Sequence, residues 1–193
     1  MYLWLGIMEF KEKSLVGFSF YLQNLIYVMK NEIIVLSDGR KVAIDRSVGV
    51  VLLAYIIKEN SIYILCNKRG KRTSEYKEFW NLPSGYLDWD ESGEEAVQRE
   101  CFEECGIKVP LELIRESEHS TKPTENRQNI IFRYIAKLPI EFFNHKLTSD
   151  NSEEDEVVNI KWIKLDDIEK YSFAWKQIET IKRMINKEIN PGI

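Results

Sequence analysis

The chain has 193 residues, 44% of them hydrophobic, and a formal net charge of −4 at pH 7. This length and hydrophobic content suffice for one buried core, so we expect one domain plus an extension. The negative charge argues against a protein that grips nucleic acid through bulk electrostatics, so any nucleotide has to be bound locally. Three cysteines without a CxxC pair favour a reducing, cytoplasmic setting.

The first 28 residues are rich in aromatic and apolar side chains, but charges at residues 11–13 interrupt them. Neither apolar stretch reaches the ~20 residues that span a bilayer, and no cleavage site typical of a signal peptide follows. We therefore expect no membrane segment. Because Met29 directly precedes the first strand-like run, we interpret residues 1–28 as an extension, either translated upstream of the native start or weakly ordered. Residues 29–193 are then the working domain.

Two β-hairpins are predicted in the first part of this domain. Asp38-Gly39 and Glu59-Asn60 are typical of tight turns, and each lies between two runs with strand composition. These four runs are residues 32–36, 41–45, 47–58 and 62–67. A polar, basic segment at 68–77 follows them.

Residues 85–107, GYLDWDESGEEAVQRECFEECGI, hold acidic side chains at regular spacings. Ser92 and Glu95 form a capping-box pattern, which predicts a helix that begins after Ser92, and Gly106 is placed to end it. At 100° per residue, three carboxylates share one face of this helix within two turns: Glu100, Glu103 and Glu104. Oxygen clusters of this kind suit hard cations such as Mg²⁺ or Mn²⁺.

The same helix carries an apolar stripe of Val97, Cys101 and Cys105, which would let it lie close against a sheet. The alternative interpretation is a solvated acidic helix. Like charges four residues apart each cost roughly a few tenths of a kcal/mol, and carboxylates at a helix end oppose the helix dipole. A helix selected only for stability would tend to carry lysine there. We therefore favour the metal-site interpretation, with Arg99 relieving part of the repulsion.

Beyond this helix, the pattern predicts more strands and then two helices. Apolar alternation indicates strands at 107–114, 129–138 and 157–163. Helices are predicted at 166–171 and 174–188, the second with one apolar face that consists of Trp175, Ile178, Ile181 and Ile185. This order of elements indicates an α/β fold, a mixed β-sheet with helices on its faces.

The segment 85–107 resembles the signature of the Nudix hydrolases without a mismatch. The letters that carry the resemblance are Gly85, Glu91, Arg99, Glu100, Glu103, Glu104 and Gly106, with apolar residues at Cys101 and Ile107. The resemblance extends over residues 31–188 and implies an α/β/α sandwich with a mixed sheet, a loop-helix-loop signature and a C-terminal helix. One departure is Ser84, where members usually carry glycine. Its backbone carbonyl can still reach a metal, so only the flexibility of the loop is put in doubt.

The resemblance implies a metal-dependent enzyme in which water attacks a phosphorus of a nucleoside diphosphate linked to another moiety. It implies Glu100 and Glu104 as metal ligands, and Glu103 as a further ligand or as the catalytic base. Glu91 and Arg99 are expected to support catalysis by orienting the signature. Mg²⁺ or Mn²⁺ is the expected cofactor. The expected partner is a nucleotide-derived small molecule, and a homodimer is left open.

Outside the signature, Arg69 at the end of a predicted strand is the most credible contact for substrate phosphates. Trp80 is a candidate for stacking on a base, although a tryptophan before a turn is more often a core residue. Family members often draw another acidic residue from a later loop. Five residues are candidates, although a solvated charge is the better interpretation for any one of them: Glu125, Glu153, Glu154, Asp155 and Glu156.

The substrate is the least determined part of this interpretation. Pro123 lies sixteen residues past Ile107, near the spacing of members that hydrolyse ADP-ribose, so ADP-ribose or a similar nucleotide sugar is favoured. A nucleoside triphosphate and a capped RNA end stay open. The contrasting hypothesis is a Nudix-like module that senses a nucleotide without cleaving it. Such modules usually carry a degraded signature, whereas this one is intact.

Overall fold

The computed structural model describes residues 33–35, 37, 41–43, 48–121, 129–150, 152 and 154–190. The chain divides into two units, residues 1–44 and 45–193. The first contains a two-stranded antiparallel sheet of β1 (Ile33–Val35) and β2 (Lys41–Ala43). This pairing confirms the first predicted hairpin, although its turn and the expected extension at 1–28 lie outside the described residues.

The second unit begins with the second predicted hairpin, which is confirmed. Its strands are β3 (Val48–Lys58) and β4 (Ser61–Arg69), and they pair antiparallel. Glu59 and Asn60, the two residues between them, have φ angles of 49° and 58°. Positive φ at both central residues is the conformation of the two-residue turn that matches the twist of paired strands.

Five further strands complete a mixed seven-stranded sheet around this hairpin. β3 pairs parallel with β8, which pairs antiparallel with β7, while β9 pairs antiparallel with β4. The strand bounds are β5 (Trp80–Asn81), β6 (Ser84–Tyr86), β7 (Ile114–Ser120), β8 (Ile130–Lys137) and β9 (Val157–Lys164).

The sheet opens between β3 and β4, and this opening positions the site. β3 pairs with β4 only over residues 55–58, and its other half pairs with β6 over residues 49–51. β4 continues past the divergence and pairs with β5. Between β5 and β6 the chain therefore crosses from β4 to β3. At this crossing the Leu52 N–H donates to the Pro83 carbonyl at 2.9 Å.

The helix α1 (Gly93–Cys105) has the predicted boundaries. Ser92 accepts from the Glu95 N–H at 3.3 Å, and the Glu95 carboxylate accepts from the Ser92 N–H at 2.7 Å, so the capping box is confirmed. Gly106 follows the helix with φ 72° and donates its N–H to the Phe102 carbonyl. This left-handed residue ends the helix as predicted.

The two faces of the sheet carry separate cores, which makes the fold an α/β/α sandwich. On β3, Leu52 and Ala54 pack in the cluster that contains α1, while Leu53 and Tyr55 pack in the cluster that contains the second helix, α2 (Gln177–Ile189). Alternation along a strand explains this division. The predicted stripe of α1 is confirmed, because all three of its side chains are fully buried: Val97, Cys101 and Cys105.

One predicted strand start and one predicted helix type are wrong. The strand predicted at 107–114 begins only at Ile114, after a 3-10 turn (Leu111–Leu113) that follows Pro110. Proline lacks the N–H that a strand ladder needs, which explains the later start. The helix predicted at 166–171 is a 3-10 helix (Leu165–Lys170).

The start of the last helix is the third correction. Ala174–Lys176 form a 3-10 turn, and Trp175 and Lys176 have φ angles of 49° and 55°. Left-handed conformations cost roughly 1–3 kcal/mol at such residues. They turn Trp175 away from the apolar face of α2, where the sequence pattern had placed it. The buried residues of α2 are Gln177, Ile181, Met184 and Ile185.

Gly106→Ala is expected to destabilise the fold by about 1–3 kcal/mol, because alanine is strained at positive φ. An added Cβ would also lie 2.7 Å from Cγ2 of Thr148. The thermal midpoint should fall by roughly 2–12 °C, measured by circular dichroism. Glu112→Ala, at an exposed position, is the control. An unchanged midpoint for Gly106→Ala would contradict this account of the helix end.

None of the helices in the described parts of the chain is long and apolar enough to cross a membrane.

Candidate active site

Arg99 ties the acidic residues of the signature together. Its Nη2 donates to Glu91 at 2.7 Å and to the Tyr86 carbonyl at 3.1 Å, and its Nε donates to the other oxygen of Glu91 at 3.0 Å. Its Nη1 donates to Glu100 at 2.7 Å and to Glu103 at 3.1 Å. The fork on Glu91 is the bidentate geometry that only arginine offers. One guanidinium therefore orients three carboxylates.

Glu91 also fixes the loop that leads into α1. One of its oxygens accepts the Asp88 N–H at 2.8 Å, and its side chain is only 14% exposed. The hydrogen bond to Glu91 raises the pKa of Arg99 further above its ordinary value. Glu91 and Arg99 thus form an ion pair that braces the loop against the helix.

Glu100 is pressed against the backbone of Gly85. A Cβ added at Gly85 would lie 2.0 Å from Oε1 of Glu100, so any larger residue would displace this carboxylate. The Glu100 side chain is 13% exposed. Burial, together with the charges of Glu103 and Glu156, raises its pKa to about 7 in spite of the lowering by Arg99. Glu100 is therefore a carboxylate whose ionised form the protein disfavours.

Glu104 is the most deeply buried acid of the site, with 4% exposure. It accepts the Ser84 N–H at 2.9 Å and a hydrogen bond from the Asn67 side chain. Both donors are neutral. Burial and the charge of Glu100 raise the pKa of Glu104 well above its usual range. Ser84, the departure from the family pattern, thus holds this carboxylate through its backbone N–H.

The donor chemistry of this site fits a hard cation. Glu104 is buried, the Glu100 side chain is only 13% exposed, and the charge of Glu100 raises the pKa of Glu104. Oδ1 of Asn67, beside Glu104, has no hydrogen-bond partner within the described structure. A divalent ion prefers such oxygen atoms. In the described ranges, no three Asp, Glu, His or Cys side chains are already arranged as a cation cage.

Arg69 lies at the end of β4, between the acidic residues and the ring of Trp175. Burial lowers the pKa of its guanidinium, while the charges of Glu104 and Glu156 oppose that shift. Its Nε donates to the Glu75 carbonyl at 3.1 Å, and its Cζ lies 4.6 Å from the centroid of the Trp175 ring. The structure thus brings Arg69 to the same site as the signature carboxylates.

Trp80 lies apart from Arg69 and the signature carboxylates. It is 7% exposed and belongs to the core on the α2 face, where its ring packs edge-on against Tyr171 at 5.6 Å. This is the position of a core residue, the alternative that the sequence left open. A role of Trp80 in base stacking stays a prediction.

The later acidic residues differ in their positions. Glu156 is close enough to the site that its charge raises the pKa of both Glu100 and Glu104. A hydrogen bond from the Gly70 N–H to the Glu156 carbonyl, at 2.6 Å, anchors its backbone. Glu154 instead forms an exposed ion pair with Arg72. Asp155 is exposed, and Glu125 and Glu153 lie outside the described residues.

Three buried amides were missed by the sequence analysis. Asn67 binds Glu104, Asn81 donates to the Leu82 carbonyl at 2.9 Å, and Gln177 accepts the Leu82 N–H at 2.9 Å. Together they hold the crossing between β5 and β6 under the acidic residues. The only signal was an asparagine at the end of an apolar strand, since a buried amide there needs polar partners.

Comparisons with known proteins agree with this geometry. The NUDIX domain family model matches residues 46–184, so the chain belongs to the Nudix family. It is 30% identical over 143 residues to an RNA pyrophosphohydrolase of Pelagibacter ubique (strain HTCC1062), across 69% of this chain and 85% of that protein. With this relative and the intact signature, the chain is a Nudix pyrophosphohydrolase, and the predicted family and enzyme class are confirmed.

Solved structures agree on the fold. The NUDIX domain of Shewanella oneidensis NrtR, complexed with ADP ribose, superposes with a TM-score of 0.61 at 17% identity, over 76% of this chain and 90% of that one. A C. elegans Ap4A hydrolase in a binary complex superposes with a TM-score of 0.56 at 19% identity, over 76% of this chain and 99% of that one. At these identities the likeness concerns the fold, and it confirms the predicted α/β/α sandwich.

Proposed function

We propose that the chain hydrolyses a phosphoanhydride bond in a nucleoside diphosphate linked to another moiety, with Mg²⁺ or Mn²⁺ as cofactor. The observation that carries this proposal is the buried pair of Glu100 and Glu104. Both carboxylates have raised pKa values because of burial, and the charge of Glu100 raises the pKa of Glu104 further. A fold that needed only stability gains nothing from this pair, whereas a bound cation would offset its cost.

In this proposal Glu100 and Glu104 hold the metal, and Glu103 is a further ligand or the base. When bound, a divalent ion polarises phosphoryl oxygens and lowers the pKa of a coordinated water. Glu103 is suited to accept a proton from water, because its side chain is 37% exposed whereas Glu100 is 13% and Glu104 4% exposed. Arg99 keeps Glu100 and Glu103 oriented, and the Ser84 N–H and Asn67 keep Glu104 in place.

The basic partner for the substrate in this proposal is Arg69. Its planar guanidinium can bind phosphate oxygens through two N–H groups. Its proximity to Glu104 and Glu156 supports a role at the phosphates next to the metal. Glu156 is the proposed additional acid, since its charge acts on both buried carboxylates.

Two substrate classes are the leading candidates. The relative from Pelagibacter ubique is named as an RNA pyrophosphohydrolase, which supports an RNA 5′ end with a phosphoanhydride. The NrtR domain was solved with ADP ribose, and the position of Pro123 points to the same compound, although Pro123 lies outside the described residues. With a net charge of −4, either substrate has to be held by local contacts.

A panel of substrates tests this function. RNA with a 5′-triphosphate, a capped RNA, ADP-ribose and nucleoside triphosphates are incubated with the protein and Mg²⁺ or Mn²⁺, and released phosphate or nucleotide is measured. Glu103→Gln protein is the control for contaminating activity. We expect metal-dependent cleavage of at least one compound by the wild type and none by the control. Tight nucleotide binding without any cleavage would favour the sensor hypothesis instead.

Asn67→Leu is expected to weaken Mn²⁺ binding about tenfold, because Glu104 would keep only the Ser84 N–H as a donor. Hydrogen bonds that orient a metal ligand typically contribute about tenfold to a hundredfold in metal affinity. Titration of Mn²⁺ by calorimetry measures the change. Asn159→Ala, at an exposed position of β9, is the matched control. Equal affinities of the wild type and Asn67→Leu would show that Asn67 does not support a metal ligand.

A further inference from the structure

One aromatic cluster beside the acidic site is not used by the function proposed above. Trp175 is 38% exposed although it is a large aromatic residue. Tyr76 packs edge-on against the Trp175 ring at 5.1 Å, and Phe79 packs edge-on against Tyr76 at 5.6 Å. Phe79 is itself 37% exposed. We call Trp175, Tyr76 and Phe79 the aromatic cluster.

The backbone is adapted to present this cluster. Trp175 and Lys176 are left-handed, as are Tyr76 and Glu78 in the loop opposite. For residues with a Cβ these conformations are costly, and they persist where the surrounding structure holds them. Had Trp175 continued the helical pattern, its ring would lie on the face of α2 that packs on the sheet. It lies instead over the guanidinium of Arg69.

Arg69 links the aromatic cluster to the carboxylates. Its guanidinium carbon is 4.6 Å from the centroid of the Trp175 ring, and its charge interacts with Glu104 and Glu156. A hydrogen bond to the Glu75 carbonyl holds it between the two. Along the surface, the acidic residues are therefore followed by the Arg69 cation and then by the Trp175 ring. A nucleotide has the matching order: its phosphates need the metal and the cation, and its base can stack on an aromatic ring.

We propose that Trp175, held by Tyr76, stacks on the base of the nucleotide whose phosphates bind at Arg69 and the acidic residues. This inference rests on the proposed function, since it uses the same site. Trp175 would be a residue that determines substrate affinity and not a catalytic residue. Stacking of a base on an aromatic side chain tolerates any base, so the ring would select nucleotides over compounds that lack a base.

Binding measurements test this proposal without turnover. Affinities for ADP, GDP and inorganic pyrophosphate are measured with Mg²⁺ for the wild type, Trp175→Ala and Trp175→Phe. We expect Trp175→Ala to weaken binding of both nucleotides about tenfold to a hundredfold and to leave pyrophosphate binding unchanged. Trp175→Phe should keep most of the affinity, because phenylalanine can also stack.

A fluorescence titration provides an independent readout. Nucleotide binding should quench tryptophan emission in the wild type. The quenching should be lost in Trp175→Phe. An equal loss of pyrophosphate affinity in Trp175→Ala would show a structural role, and unchanged nucleotide affinity would exclude stacking. Either result overturns this proposal.

Different results would refute the hydrolase function and the stacking role of Trp175. A protein that binds nucleotides through Trp175 but cleaves nothing in the substrate panel refutes the hydrolase function alone. A protein that cleaves its substrate but binds nucleotides equally well with Trp175→Ala refutes the stacking role alone.

Discussion

Glu104→Gln is expected to abolish turnover while the protein stays folded. Glutamine keeps the shape of the side chain and can still accept the Ser84 N–H, but it removes the charge that would hold the metal. Glu103→Gln should have an equally large effect if Glu103 is the base. A lost general base typically lowers the rate about a hundredfold to ten-thousandfold. The measurement is kcat with the best substrate of the panel, and Glu112→Gln, at an exposed position, is the control.

The pH dependence of stability without metal is also expected to differ between Glu104→Gln and the wild type. The folded state raises the pKa of Glu104, so between its ordinary value of 4.5 and the raised value the folded protein binds more protons than the unfolded protein. The free energy of unfolding of the wild type therefore falls as the pH rises through this interval. Glu104→Gln removes that fall. Its thermal midpoint in EDTA should equal or exceed that of the wild type at pH 8.

Near pH 4 this advantage of Glu104→Gln should largely disappear, because the wild-type carboxyl is then mostly protonated in both states. Thermal scans at both pH values measure the difference. A variant that is much less stable than the wild type at pH 8 would contradict the account. In that case Glu104 would be a structural anchor and not a strained ligand.

Arg99→Ala is the second change with a large expected effect, and it should reduce both stability and activity. It would leave Glu91 and Glu100 unpaired at 14% and 13% exposure. Breaking a buried ion pair by removing one partner typically costs about 3–5 kcal/mol, which here corresponds to a fall of roughly 6–20 °C in the thermal midpoint. Turnover should fall as well, since Glu100 and Glu103 lose the group that orients them.

Arg99→Lys separates charge from geometry. Lysine keeps the positive charge but cannot donate to both oxygens of Glu91 and to the Tyr86 carbonyl in one plane. We expect stability between those of the wild type and Arg99→Ala, with activity close to that of Arg99→Ala. Urea unfolding and kcat are measured for both variants, with Lys108→Ala, at an exposed position, as the control. A loss below 1 kcal/mol in Arg99→Ala would refute the bracing role.

The elements with strong local signals could be predicted from the sequence. Ser92, Glu95 and Gly106 define both ends of α1 through contacts within a few residues, so their roles can be deduced without tertiary information. The apolar stripe of α1 follows from helical periodicity in the same way. The shared face of Glu100, Glu103 and Glu104 also follows, since it requires only the geometry of one helix.

Features that depend on distant contacts could not be predicted. The sequence gives no sign that Asn67 would lie beside Glu104, because 37 residues separate them and the sheet opening brings them together. Trp175 fits the helical pattern of α2, yet its contacts with Arg69 and Tyr76 favour a left-handed backbone. Tertiary contacts override local pattern in both cases. The pairing of Arg99 with Glu91 lies between these extremes, since the signature motif links them.

Direct measurement of metal binding tests the central claim, that the buried carboxylates of α1 hold a divalent cation. Mn²⁺ is titrated into the wild type and into the Glu100→Gln/Glu104→Gln double variant, and free Mn²⁺ is followed by electron paramagnetic resonance. The account predicts saturable binding by the wild type and at least a hundredfold weaker binding by the double variant. Equal binding by both proteins, or none by the wild type, would contradict it.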